Sequence, residues 1–81
     1  MKIEVVSQIL KYVNKDGTVD VKGLLQWLEA SKAKKKEDRE IKFDDGDVSH
    51  AVVYEGDGWG VEIHYVVGKD GMMKLVSLDI S

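Results

Sequence analysis

Two histidines, His50 and His64, and the acidic residues Asp44, Asp45, Asp47, Glu55 and Asp57 are the side chains best suited to acid–base or metal chemistry. Whether they can act together depends on strand geometry. If the Glu55–Gly58 turn pairs Tyr54 with Trp59, His50 lies opposite Ile63 and His64 opposite Ser49. Side chains alternate along a strand, so the two imidazoles then point to opposite faces and can share neither a metal nor a proton. His50 falls on the apolar face near Val52 and Tyr54, and His64 shares the other face with Glu62; both read as structural. The acidic residues sit beside glycines on alternate turns of a meander, where Asp and Gly are turn formers. The run Gly56-Asp57-Gly58-Trp59-Gly60 precedes a strand, whereas a phosphate-binding loop must open onto a helix N-terminus. There is no cysteine, which excludes thiolate zinc sites, cysteine nucleophiles and disulfide scaffolds. No catalytic, cofactor-binding or metal site is expected, and the chain reads as a non-enzyme.

Between two helical segments lies Asn14-Lys15-Asp16-Gly17-Thr18-Val19-Asp20. It resembles the middle of an EF-hand calcium loop, with Gly17 at the obligatory turn and Asn14, Asp16, Thr18 and Asp20 at ligand positions. The ends of that loop are missing: Tyr12 stands for the first Asp and Gly23 for the bidentate Glu. The stretch therefore reads as an Asp-Gly turn followed by an N-cap.

Ile9–Val13 followed by Gly17–Leu28 also resembles the first two helices of a winged-helix domain. That resemblance implies a third helix over Ser31–Glu40 that enters a DNA groove, and it makes Lys32, Lys34, Lys35, Lys36 and Arg39 candidate phosphate contacts. Neither resemblance extends along the whole chain.

The positioning elements follow from periodicity. Ile3, Val6, Leu10 and Val13 recur at helical spacing, with Val5, Ile9 and Tyr12 widening the stripe, so a first helix is predicted over about Ile3–Asn14. A second is predicted from the N-cap Asp20 to about Lys36, with Val21, Leu24, Leu25 and Leu28 on one face and Trp27 at its edge. Its basic end reads as a solvated helix terminus. Strands are predicted over Glu40–Phe43, Val48–Tyr54, Trp59–Val67 and Met72–Ile80, separated by Asp/Gly turn clusters. The reading is one α+β domain over residues 1–81: a helical half over about 1–39 and, over about 40–81, an antiparallel meander of three or four strands. The two N-terminal helices are expected to pack on one face of that sheet.

The chain has 81 residues, 43% of them hydrophobic and 33% charged, a composition that is neither disordered nor membrane-spanning. An amphipathic N-terminal segment takes the place of an apolar signal run, so a cytoplasmic location is expected. Residues 1–40 carry nine Lys/Arg against seven Asp/Glu, and residues 41–81 carry three against eight. These features point to a small protein-binding or regulatory module acting by occlusion or adaptor docking, with another protein as partner and no membrane. Its candidate surface is Val53 and Val66 on the outer sheet face, Trp59 at a strand start, and the acidic turn residues Asp44, Asp45 and Asp47. The alternative is the winged-helix-like nucleic-acid binder. A third reading is a homodimer formed by edge-strand pairing across a two-fold axis.

Overall fold

The computed structural model describes residues 2–81. Helices α1 (Lys2–Leu10) and α2 (Val21–Ala30) precede strands β1 (Lys34–Lys42), β2 (Val48–Gly56), β3 (Trp59–Val67) and β4 (Met73–Ile80). The strands form one antiparallel sheet in the order β1-β2-β3-β4. The α+β class and the meander are as the periodicity predicts.

Helix α2 starts where expected. Asp20 caps it by accepting the Gly23 N–H at 3.0 Å, which satisfies one of the donors left over in a first helical turn. It ends at Ala30, six residues before the predicted Lys36, and Ser31 closes it by donating its N–H to the carbonyls of Trp27 and Leu28. The basic segment beyond is therefore strand β1, neither a helix terminus nor the third helix of a winged-helix domain. The boundary between helical and β halves moves accordingly from about residue 40 to about residue 34.

The core is drawn from both helices and the two central strands: Val5 and Ile9; Val21, Leu24 and Leu28; Val52, Tyr54, Val61, Ile63 and Tyr65. Within the sheet these residues occupy alternate positions, so they share one face, called here the core face. In α1 the buried line is Val5 and Ile9, with Tyr12 packed behind them. The primary line of the predicted stripe is instead mostly in solvent, with Ile3 83%, Leu10 61% and Val13 41% exposed and only Val6 half-buried. Both lines have helical spacing; Val5 and Ile9 are the residues that join the buried cluster.

Hairpin β2–β3 turns through Asp57 and Gly58 alone. It pairs Gly56 with Trp59, Tyr54 with Val61 and His50 with Tyr65. The predicted register, Tyr54 opposite Trp59, is thus off by two residues. A two-residue slip preserves alternation, so every side chain keeps its expected face.

Candidate interaction surface

Register places each sequence-predicted residue. The core face reads, from β1 to β4, as Lys35–Tyr54–Val61–Ile80, Asp38–Val52–Ile63–Leu78, Glu40–His50–Tyr65–Leu75 and Lys42–Val48–Val67–Met73. Each row starts on β1 with a charge, and every residue of β1 is exposed. The apolar layer stops at β2.

One contact ties that charged strand to α2. Lys35 Nζ lies 2.8 Å from Glu29 Oε1, and the Tyr54 hydroxyl donates to the same oxygen at 2.5 Å. The Lys35 ammonium also stands 5.7 Å above the Tyr54 ring. The Lys35 hydrogen bond, followed by that of Tyr54, holds the Glu29 carboxyl below its ordinary range. Burial, reinforced by the Glu29 hydrogen bond, pushes the Tyr54 hydroxyl up to about 12. This cluster lies at the margin of the core, where the part-buried Tyr54 hydroxyl shares Glu29 with the Lys35 ammonium.

The opposite, outer face carries four rows: Lys34–Glu55–Gly60, Glu37–Val53–Glu62–Asp79, Arg39–Ala51–His64–Ser77 and Ile41–Ser49–Val66–Lys74. Ala51, Val53 and Val66 are half-buried by their neighbours alone, and Ile41 at the margin is 61% exposed. Charges flank them in pairs: Arg39 Nε lies 3.3 Å from Glu37, and His64 Nε2 lies 2.7 Å from Glu62. Val53 and Val66 therefore do share a face, separated by the Ala51–His64 row.

The other predicted residues lie elsewhere. Trp59 is half-buried on the core face at the sheet's end, stacked on Trp27 with centroids 6.4 Å apart and planes at 22°. Its ring lies directly over Gly56. Asp44, Asp45 and Asp47 belong to the β1–β2 turn at the far end. Asp45 Oδ1 accepts the Asp47 N–H at 3.0 Å, as a turn former does. That turn abuts the β3–β4 turn, where a β-carbon at Gly46 would meet Lys69 Cβ at 3.2 Å. Nine-residue strands separate these aspartates from Glu55 and Asp57 by about 30 Å. Among the described residues no group of three or more His, Cys, Asp or Glu is placed to hold a metal ion.

The histidines stand on opposite faces, as their alternation requires. His50 stacks on Tyr65 with centroids 4.8 Å apart and planes at 8°, while His64 meets Glu62 outside. In the Asn14–Asp20 loop, the groups matched to calcium positions bond to one another: Asp16 Oδ1 accepts from the Thr18 hydroxyl at 2.6 Å and its N–H at 3.0 Å, and Asn14 Nδ2 donates to Thr18 Oγ1. The Thr18 hydroxyl holds the Asp16 carboxyl below its usual range.

The candidate phosphate contacts are also divided. Lys35 points to the core face and binds Glu29; Lys36 lies 4.0 Å from Glu55, and Arg39 pairs with Glu37. Lys32 and Lys34 alone have no carboxylate partner among the described residues. With Lys36, Glu55, Asp57 and Trp59 they line a shallow cleft of about 540 Å³ whose charge is mixed. No helix among the described residues is long and apolar enough to cross a membrane. Comparison with protein-family models, with curated proteins and with solved structures finds no match to this chain.

Proposed function

We propose that the protein is a small, non-enzymatic protein-binding or regulatory module whose two helices cover the core face of the sheet and whose outer face receives the partner. One observation carries this reading: the outer face holds Ala51, Val53, Val66 and Ile41 in adjacent rows, bordered by the Arg39–Glu37 and His64–Glu62 pairs. A solvated sheet face alternates polar residues outward. An apolar centre with a charged rim is the anatomy of a protein contact, where the centre is desolvated and the rim sets orientation. Docking there would occlude a partner without any chemical step. The division of the basic residues between two faces, and the pairing of Lys35, Lys36 and Arg39 with carboxylates, supports this reading over phosphate binding.

The test compares what tagged wild type and two variants retain from native lysate, with and without nuclease. Val53→Lys places an ammonium between Glu37 and Glu62, so the fold tolerates it while the apolar centre is lost. Lys34→Glu/Lys36→Glu reverses two of the three lysines that line the mixed-charge cleft. A protein that survives nuclease, is lost with Val53→Lys and is kept by the double variant supports the reading. Retention that fails only with the lysine variant, or that vanishes on nuclease treatment, overturns it in favour of nucleic acid.

A further inference from the structure

The two edges of the sheet are built differently. Strand β1, KKKEDREIK, is charged at eight of nine positions and breaks register at Lys36. That is how natural sheets block edge-to-edge pairing. Strand β4, MKLVSLDI, is charged at only two of eight positions, and Val76 at its bulge is 66% exposed. The chain has no proline to guard either edge.

The bulge has a second consequence. Lys74 and Asp79 are five residues apart, and in a regular strand they would lie on opposite faces. The extra residue Val76 places both on the outer face, with Lys74 opposite Val66 and Asp79 opposite Glu62. Leu75 and Leu78, likewise separated by the bulge, both face the core side opposite Tyr65 and Ile63. Strand β4 is thus self-complementary about Ser77: reversing it end for end exchanges Lys74 with Asp79 and Leu75 with Leu78.

We infer that the free edge of β4 binds a second copy of this chain, pairing antiparallel across a two-fold axis at Ser77 to make a continuous eight-stranded sheet. In that register each Lys74 meets the partner subunit's Asp79, and each Leu75 meets the partner subunit's Leu78. A two-fold axis perpendicular to a sheet maps each side chain to the same face, so pairs must match in face; the bulge supplies that match. The inference does not rest on the outer face binding a partner, since the contact lies at the edge.

Because the chain contains no cysteine, Ser77→Cys introduces a single thiol that meets its own copy at the axis, within disulfide reach for directly opposed strand residues. Mild oxidation should yield a covalent dimer from Ser77→Cys and none from Ser49→Cys, a position inside the sheet. In sedimentation equilibrium the unmodified chain should approach twice its 9.1 kDa mass with rising concentration. Lys74→Glu and Asp79→Lys should each weaken association about tenfold or more, since either change turns two attractive contacts repulsive. The double variant should restore it. Circular dichroism confirms that each variant is folded. A chain that stays monomeric into the millimolar range, or a dimer indifferent to both charge reversals, overturns the inference.

Discussion

Gly56 gives the sharpest test of the packing, because two effects at that residue have opposite signs. Its backbone is extended strand with no positive φ, so alanine fits the conformation. A glycine in a strand loses more conformational freedom on folding than alanine does, so Gly56→Ala should by itself stabilise by about 0.5–1 kcal/mol. The Trp59 indole forbids it. A β-carbon at residue 56 would lie 2.1 Å from Cε2 and 2.3 Å from both Cζ2 and Nε1. Reaching an ordinary 3.4 Å contact requires the ring to retreat by about 1.3 Å. The ring is pinned by its stack on Trp27, a contact of about 0.5–1.5 kcal/mol beyond its buried area. Overpacking of this kind costs about 1–3 kcal/mol. The net expectation for Gly56→Ala is a loss of about 0.5–2 kcal/mol. With a urea slope of about 1 kcal/mol per molar, the unfolding midpoint falls by about 0.5–2 M. In a Trp59→Leu background the obstacle is gone, and the same substitution should stabilise by about 0.5–1 kcal/mol. The cycle is read by equilibrium urea unfolding followed by far-ultraviolet circular dichroism. If Gly56→Ala costs the same with and without Trp59, the ring is not what excludes a side chain, and the packing argument fails.

Ile9 and Ile3 test which line of α1 is buried: Ile9→Ala should cost about 2–5 kcal/mol by the same unfolding assay, and Ile3→Ala less than about 0.5 kcal/mol. Asp20→Ala removes the acceptor of the Gly23 N–H and should lower stability by about 0.5–2 kcal/mol, while Asp20→Asn, which keeps an oxygen there, retains most of it. Tyrosinate absorbance in an alkaline titration should show Tyr54, pushed up to about 12, and Tyr65, raised chiefly by burial, ionising after free tyrosine. Because the folded state holds the Tyr54 proton more tightly than the unfolded chain, its contribution is complete below about pH 10 and is lost as pH rises toward 12. Tyr54→Phe should flatten that alkaline decline. Glu29 behaves oppositely: its depressed carboxyl contributes above the ordinary carboxylate range and stops contributing as pH falls through the folded value, so Lys35→Met should make acid unfolding less steep.

The elements legible from the residues alone are those whose local chemistry is unambiguous. The alternation of Trp59, Val61, Ile63, Tyr65 and Val67 specifies β3 to the residue, because a buried face with a period of two has one solution. Asp20 and the Asp-Gly turns fix chain reversals through short-range hydrogen bonds that need no distant partner. The opposite faces of His50 and His64 follow from parity alone, whichever even-numbered slip the hairpin adopts. What lay outside the sequence is what depends on neighbours. Residues Lys34–Lys42 carry charge on both faces and show no apolar period, yet they form a strand because the edge of β2 supplies their backbone partners and solvent and ion pairs receive their side chains. The two apolar lines of α1 are equivalent until Val5 and Ile9 join the buried cluster. Alternation fixes a register only to within two residues, and the Asp57-Gly58 turn decided which. The bulge at Val76 is invisible as a pattern, and it alone puts Lys74 and Asp79 on one face. Short-range chemistry is written residue by residue; burial, register and edge pairing are competitions between distant segments, and only the folded chain settles them.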